Sequence, residues 1–316
     1  MSYAQFGLIE ATDFNNLVGG NPVTSSGKLN TVWATGGTNA GYGQTAVANV
    51  AVGTAVAASN WASLVNSTAN SASHQGTSIT SVTAPSAGGT VTYLSAIPTN
   101  LTTIYNSRLN AAAQGSTTSN TATRATTWSS AITFTHTATF ANGDAARYFF
   151  NAGGQLAITC AHPSGTGINL LLNNLASNVG TVVLSSPTSG AITVAGTSYN
   201  GITKVGGGGN APTISTNTGY YALTASNVTA FTQTASTGPS GYLSTFIRVI
   251  VQSNGTQGAN GDAGSIITIY TVWDEVPDGL TAAANSATTL TVRPPAITNI
   301  SNTWGAVTLS GTVSGT

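Results

Sequence analysis

Charged side chains are scarce in this sequence. It has 7 Lys and Arg and 7 Asp and Glu among 316 residues, which is 4% of the chain, and the formal net charge is zero. A typical soluble domain is about 25% charged. The cations are scattered along the chain, whereas a nucleic-acid-binding face needs clustered Lys and Arg to neutralise phosphates. We therefore expect no nucleic-acid partner.

Three other features are missing from the sequence. Cys160 is the one cysteine, which excludes an intrachain disulfide framework. No apolar run approaches the length of about 18 residues that suggests a membrane span. Residues 1–10 carry neither the basic start nor the apolar stretch of a secretory signal peptide. We therefore expect a protein that is assembled in the cytoplasm, without a membrane span.

Apolar and uncharged polar residues fill the chain instead. Hydrophobic residues make up 41% of it, with 5 Trp, 10 Tyr and 8 Phe, so a folded core is expected. Disordered chains combine low hydrophobicity with high charge, and this one has neither property. A surface of hydroxyls and amides can meet copies of itself or neutral sugars while few ions lose their hydration. This composition favours a structural or binding protein over an enzyme.

The first third of the chain has helical periodicity. Apolar residues recur at i, i+3 and i+4, which predicts three or four short helices within residues 7–113. The clearest stripes contain Phe14, Leu17 and Val18, then Trp61, Leu64 and Val65, then Leu101, Ile104 and Leu109. A strand is predicted at 89–94. Residues 115–127 lack apolar periodicity and are interpreted as a linker.

The period changes to two after the linker. Ile132, Phe134 and His136 alternate with threonines, which predicts a half-buried antiparallel strand. A helix is predicted at 169–178, and a hairpin joins 244–253 to 265–273. Both hairpin strands are nearly continuous apolar runs, so a layer of the same chain or a neighbouring copy must cover both faces.

The predicted fold class is therefore α+β, mainly β. A small helical N-terminal part, residues 1–114, is expected to serve attachment or oligomerisation. The linker at 115–127 follows, and residues 128–316 are expected to form an antiparallel β-sandwich-like body.

The candidate catalytic residues have stronger structural interpretations. His74, His136 and His162 do not have metal-binding spacing. His136 is expected in the core, and His74 is expected to stabilise the end of a helix. Cys160 and His162 could be a nucleophile and its base, but Pro163 follows at once and no oxyanion loop is visible. We expect no enzyme activity and no cofactor.

A calcium site is the weaker of two interpretations of the acidic residues. Asp274, Glu275 and Asp278 form the one acidic cluster, and Asp262 could add a ligand. The loop at 258–264 lacks the dense alternation of Asp that a dedicated calcium loop shows. Solvation of turns and strand ends is favoured, so no metal is expected.

Candidate contact residues are aromatic, cationic or polar. In the segment RYFFN at 147–151, Arg147 is expected to pair with Asp144 and to cover aromatic rings, which makes a structural corner. The alternative is a sugar-binding platform. Further contacts are expected in C-terminal loops. The candidate ligand or subunit contacts are Arg147, Tyr148, Tyr220, Tyr221, Asn260 and Asp262.

Short segments in the first 155 residues carry a family resemblance. They are DFNNL at 13–17, LNTVWATG at 29–36, GYGQ at 41–44, WASL at 61–64, HQG at 74–76 and DAARYFFNAGG at 144–154. Together they resemble the virion structural proteins of tailed bacteriophages, especially those described as tail-fibre-like. The resemblance implies a particle component built from many copies, and it names no active residues.

The resulting expectation is a non-enzymatic, homo-oligomeric subunit of a tail-fibre or collar-type appendage of a tailed bacteriophage. It would be assembled in the host cytoplasm, reside in the virion and contact copies of itself and other virion proteins. The alternatives are a capsid decoration (cement) protein and a receptor-binding tip that recognises host surface glycans. A depolymerase is disfavoured because no pair of carboxylates stands out for glycoside cleavage and no β-helix repeat is apparent.

Overall fold

A computed structural model describes residues 10–89, 91, 95–215, 218–238, 240–257, 263–274 and 280–315. The predicted fold class is confirmed: helices precede a body of antiparallel sheets. The strand predicted at 89–94 falls mostly on Thr90 and residues 92–94, which lie outside the described residues.

The helices of the N-terminal part follow the predicted apolar stripes. They are α1 (Ala11–Val18), α2 (Leu29–Val32), α3 (Ala58–Gln75) and α4 (Ala96–Asn106). Phe14 of α1 and Trp61 of α3 pack edge to face, with ring centroids 5.3 Å apart. Gly76 ends α3 with φ of 68°, the left-handed conformation that glycine adopts at helix ends.

Two further helices lie within the β-rich body, α5 (Gly143–Asn151) and α6 (Ile168–Val179). The second confirms the helix predicted at 169–178. The dipeptide Asn142-Gly143 has the composition of a hairpin turn, but in the structure it begins α5. The side-chain oxygen of Asn142 accepts a hydrogen bond from the backbone N–H of Ala145 at 2.8 Å, which caps the helix. Short 3₁₀ turns occur at Tyr220–Ala222 and Ser240–Tyr242.

One antiparallel sheet has five strands in the order β1-β12-β3-β4-β7. The strands are β1 (Thr118–Arg124), β3 (Gln155–Ala161), β4 (Thr181–Leu184), β7 (Ile202–Val205) and β12 (Ser286–Arg293). The linker prediction is wrong for 118–124, which pair with β12 along their whole length. Ala122 is the buried residue of β1. An edge strand with so little apolar surface gives no periodic signal.

The other large sheet has six strands in the order β13-β2-β11-β10-β9-β8. They are β2 (Ala131–Thr139), β8 (Thr213–Ile214), β9 (Val228–Thr234), β10 (Phe246–Ser253), β11 (Ile266–Asp274) and β13 (Thr308–Gly315). The predicted hairpin is confirmed as β10 and β11, in which Ile250 lies opposite Tyr270. A separate two-stranded sheet joins β5 (Ile192–Val194) to β6 (Thr197–Tyr199).

The core lies between the two large sheets. Strand β1 contacts β13 at one edge of the sandwich. Helix α6 packs on β3 of one sheet and on β10 of the other, so this helix lies against both sheets. The same apolar cluster includes Phe14 and Leu64 of the N-terminal helices and Phe134 and Leu290 of the strands. The two parts therefore share a core, and a division into separate domains stays a prediction. Among the described residues, no helix is both long and apolar enough to span a bilayer.

Candidate assembly surface

Arg147 lies in the interior. Its side chain is 0% exposed, and Nη1 donates hydrogen bonds to the carbonyls of Thr35 at 2.9 Å and Ala40 at 2.8 Å. The predicted ion pair is confirmed, because Nη2 lies 2.9 Å from Oδ1 of Asp144. Through these hydrogen bonds, Arg147 links the loop at 35–41 to α5.

Tyr148 lies beside this ion pair and is half-buried. The guanidinium carbon of Arg147 lies 4.8 Å from the centroid of the Tyr148 ring. Gly43 also lies against the Tyr148 ring, since a Cβ at this position would come within 2.5 Å of it. The φ of Gly43 is +68°. The segment GYGQ and the segment RYFF, which are distant in sequence, therefore meet at this ring.

Tyr220 and Tyr221 reach the same region. Tyr220 is fully buried and stacks on Phe150, with centroids 4.2 Å apart and planes 15° apart. The hydroxyl of Tyr221 donates a hydrogen bond to the carbonyl of Thr38 at 3.1 Å and also bonds to Oδ1 of Asn151.

The structure therefore brings Arg147, Tyr148, Tyr220 and Tyr221 into one region. Arg147 and Tyr221 bond to the loop at 35–41, Tyr220 stacks on Phe150, and Tyr148 and Tyr221 are partly exposed. The contact prediction is wrong for Arg147 and Tyr220, because neither side chain has exposed area with which to touch a ligand or another chain. The interpretation as a structural corner describes these residues better than a sugar platform does. Asn260 and Asp262 lie outside the described residues, as do two of the other acidic residues considered for calcium, Glu275 and Asp278.

The histidines and the cysteine are built into the interior. Nε2 of His74 donates a hydrogen bond to the carbonyl of Ala152 at 3.0 Å, so its ring joins α3 to the end of α5 rather than stabilising the end of its own helix. Burial lowers the pKa of His74 to about 4. The ring of His136 is fully buried and bonds to Thr288, as expected of a core histidine.

The Cys160–His162 pair lacks the geometry of an activated nucleophile. The ring nitrogens of His162 bond to Ser286 and Asn169, and burial raises the pKa of the Cys160 thiol to about 12. The thiol is therefore protonated at neutral pH, and the thiolate is the reactive form. Among the described residues, no group of three or more His, Cys, Asp or Glu is placed to hold a metal ion.

A trough of about 760 Å³ opens beside α1 and the start of α3. Its described lining includes Glu10, Val56 and Trp61, and Glu10 is the one charged residue in that lining. It offers no second carboxylate or histidine for acid–base chemistry.

The outer side of the six-stranded sheet carries apolar side chains that the core does not bury. In β10 and β11, alternate residues are buried in the core and partly exposed on this face. The partly exposed set includes apolar side chains that do not pack against the core in the described part of the chain, namely Phe246, Ile250, Ile266, Tyr270 and Val272. They form an apolar stripe along the middle of the face.

Columns of hydroxyls lie on β2 and β13, to one side of this apolar stripe. Thr135 lies opposite Thr312, and Thr137 lies opposite Ser310 with their hydroxyl oxygens 2.7 Å apart. The same alternation continues with Thr133 and Thr139 on β2 and Thr308 and Ser314 on β13. The four β13 residues of this column are exposed. On the other side of the stripe, β9 adds the hydroxyls of Thr229, Thr232 and Thr234, which lie opposite Ile250, Arg248 and Phe246. We name the apolar stripe together with the hydroxyls of β2, β13 and β9 the outer face.

One cation and one anion lie on the outer face. Arg248 of β10 is a diagonal neighbour of Asp274 of β11, since Arg248 pairs with Val272 and Phe246 pairs with Asp274. The guanidinium of Arg248 lies 4.4 Å from the centroid of the Phe246 ring. Within the described residues, Arg248 forms no ion pair, and its Nε has no hydrogen-bond partner.

Sequence reasoning anticipated part of this surface. The nearly continuous apolar runs indicated that β10 and β11 need cover on both faces, and the structure shows which side chains lie inside and which outside. It missed the hydroxyl columns, because β2 and β13 are separated by more than 160 residues. Their shared Thr and Ser alternation was the available signal.

Comparisons of the chain with protein-family models, with curated proteins and with solved structures find no match.

Proposed function

We propose that the chain is a non-enzymatic structural subunit of a tailed-bacteriophage particle, built as a homo-oligomer into a tail-fibre or collar-type appendage. The observation that carries the proposal is the outer face, with its apolar stripe between hydroxyl columns. The assignment to a phage particle rests on the resemblance of the first 155 residues to virion structural proteins. The alternatives remain a capsid decoration protein and a glycan-recognising tip.

The outer face suits permanent contact with protein. Each square ångström of apolar surface removed from water contributes about 25 cal/mol, and the stripe leaves such surface partly exposed in a single chain. The hydroxyls around it can exchange water for partners on a facing chain, at much lower cost than charged groups would incur. The near absence of charge therefore helps assembly.

The proposal of self-assembly is tested by native mass spectrometry and light scattering of the purified chain at micromolar concentration. We expect a closed oligomer, either a dimer or a larger assembly with an even number of copies, such as about six or twelve. A chain that stays monomeric up to about 100 µM, well above the Kd of a stable assembly, would contradict the homo-oligomeric part.

The place in the particle is tested by quantitative peptide mass spectrometry of purified virions. A copy number that matches tail symmetry supports an appendage. A copy number that follows the capsid lattice supports decoration instead, and absence of the chain from virions would refute the proposal as a whole.

A further inference from the structure

We propose that the outer face docks against the outer face of a second copy of this chain, sheet upon sheet. The inference rests on the proposed function only in its self-assembly part. Beyond self-assembly, it specifies that the interface is the outer face and that a second copy of the same face covers it.

The size of the outer face is sufficient for such an interface. Strands lie about 4.8 Å apart and rise about 3.3 Å per residue. The strands β13, β2, β11, β10 and β9, taken at the eight residues of β10, cover a rectangle of about 24 by 26 Å. Two copies would bury about 1,200 Å² in total, which reaches the lower bound for specific and stable interfaces.

The chemistry of the face has the arrangement of a protein interface. The apolar stripe of Ile250, Tyr270 and their neighbours lies in the middle. The hydroxyls of β2 and β13 on one side and of β9 on the other form a polar rim. The aliphatic side chains of Ile250, Ile266 and Val272 offer no hydrogen bond to a sugar hydroxyl. A facing surface with the same apolar side chains would remove them from water more completely than a glycan would.

The charges on the face also favour a second copy. Arg248 and Asp274 give it no net charge, so two copies meet without repulsion. A nucleic acid or an anionic lipid surface would call for several cations.

The test compares the oligomeric state of the full chain with that of Ile250→Lys. The lysine would place an unpaired charge in the middle of the interface, and we expect it to weaken association by about 100-fold or more. Val272→Lys provides a second variant on the same stripe. Thr159→Lys is the matched control, because Thr159 is an exposed β-branched residue on the other sheet, in β3.

Far-UV and near-UV circular dichroism of each variant at low concentration checks that the chain remains folded. An oligomeric wild type, smaller species for both stripe variants and an unchanged control would support the inference. An oligomeric wild type whose stripe variants remain oligomeric would overturn it and leave the proposed self-assembly standing. A monomeric wild type would overturn both.

Discussion

The ion pair of Arg147 in the interior offers the sharpest test of how this fold is held together. The guanidinium holds the loop at 35–41 through two carbonyls and pairs with Asp144. In Arg147→Ala these hydrogen bonds disappear, and the carboxylate and both carbonyls lose their donor. We expect the variant to be strongly destabilised.

The magnitude follows from burial. Each carbonyl that loses its donor costs about 1–3 kcal/mol, and the Asp144 carboxylate, which is 28% exposed, can be hydrated in place of the lost ion pair. We therefore expect a total loss of about 3–5 kcal/mol. Unfolding entropy is about 2.1 cal/mol/K per residue, which for 316 residues is about 0.66 kcal/mol/K. The melting temperature should therefore fall by about 5–8 °C.

Differential scanning calorimetry at pH 7 measures this shift. Arg147→Lys should lie between wild type and Arg147→Ala, because an ammonium keeps the charge but lacks the planar fork of donors. Arg293→Ala, which removes a partly exposed arginine at the end of β12, is the control and should change the melting temperature by less than about 2 °C. The reasoning is refuted if Arg147→Ala melts within about 1 °C of wild type.

Three further variants test other contacts. His74 has a folded pKa of about 4 against 6.5 when unfolded, so it contributes stability above pH 6.5 that is lost as pH falls towards 4. The loss is about 3 kcal/mol, and His74→Gln should flatten that part of the stability–pH curve measured by urea titration. Gly43→Ala should lose about 1–3 kcal/mol, since its Cβ meets the Tyr148 ring at 2.5 Å; unchanged urea midpoints would contradict this. Asn142→Ala should lose about 1 kcal/mol as the cap of α5 disappears, whereas Asn142→Ser should lose less.

The elements that could be predicted from the sequence are those whose signal is local. The period of two around Phe134 predicted β2, and the local sequence at 169–178 predicted α6. The hairpin of β10 and β11 was found because its two strands are neighbours in sequence and both are rich in β-branched residues. Each of these elements buries enough apolar surface to leave a pattern.

The errors arose where side chains serve partners distant in sequence. Strand β1 is held by its backbone pairing with β12 and by hydroxyl contacts such as Thr121 to Thr289 at 2.8 Å. Its own residues therefore need not be apolar. Asn142 and Gly143 have the composition of a hairpin turn, but Asn is equally suited to cap a helix. The choice between them depends on the packing of Phe149 and Phe150, which the dipeptide does not reveal.

The burial of the candidate contact residues could not be predicted either, because it depends on partners that are distant in sequence. Arg147 and Tyr220 have the polar atoms and rings of a binding surface, and only the folded loop at 35–41 and the stacked Phe150 reveal that they are internal. By contrast, the two-sided apolar runs of β10 and β11 required cover whatever the tertiary structure was. That requirement depends on composition alone, so it could be recognised before the fold was known.

The burial of Arg147 and the partly exposed apolar side chains of β10 and β11 together show how a chain with so few charges folds and what it would offer to the proposed self-assembly. Arg147 is one of the seven cations, and it is used inside, where it joins the helical part to the β-rich body. The three histidines have lowered pKa values from burial and are neutral at pH 7. The surface is left with still fewer ions than the composition suggests. Association through such a surface must be driven by apolar burial and hydroxyl exchange, and these are the groups that the outer face presents.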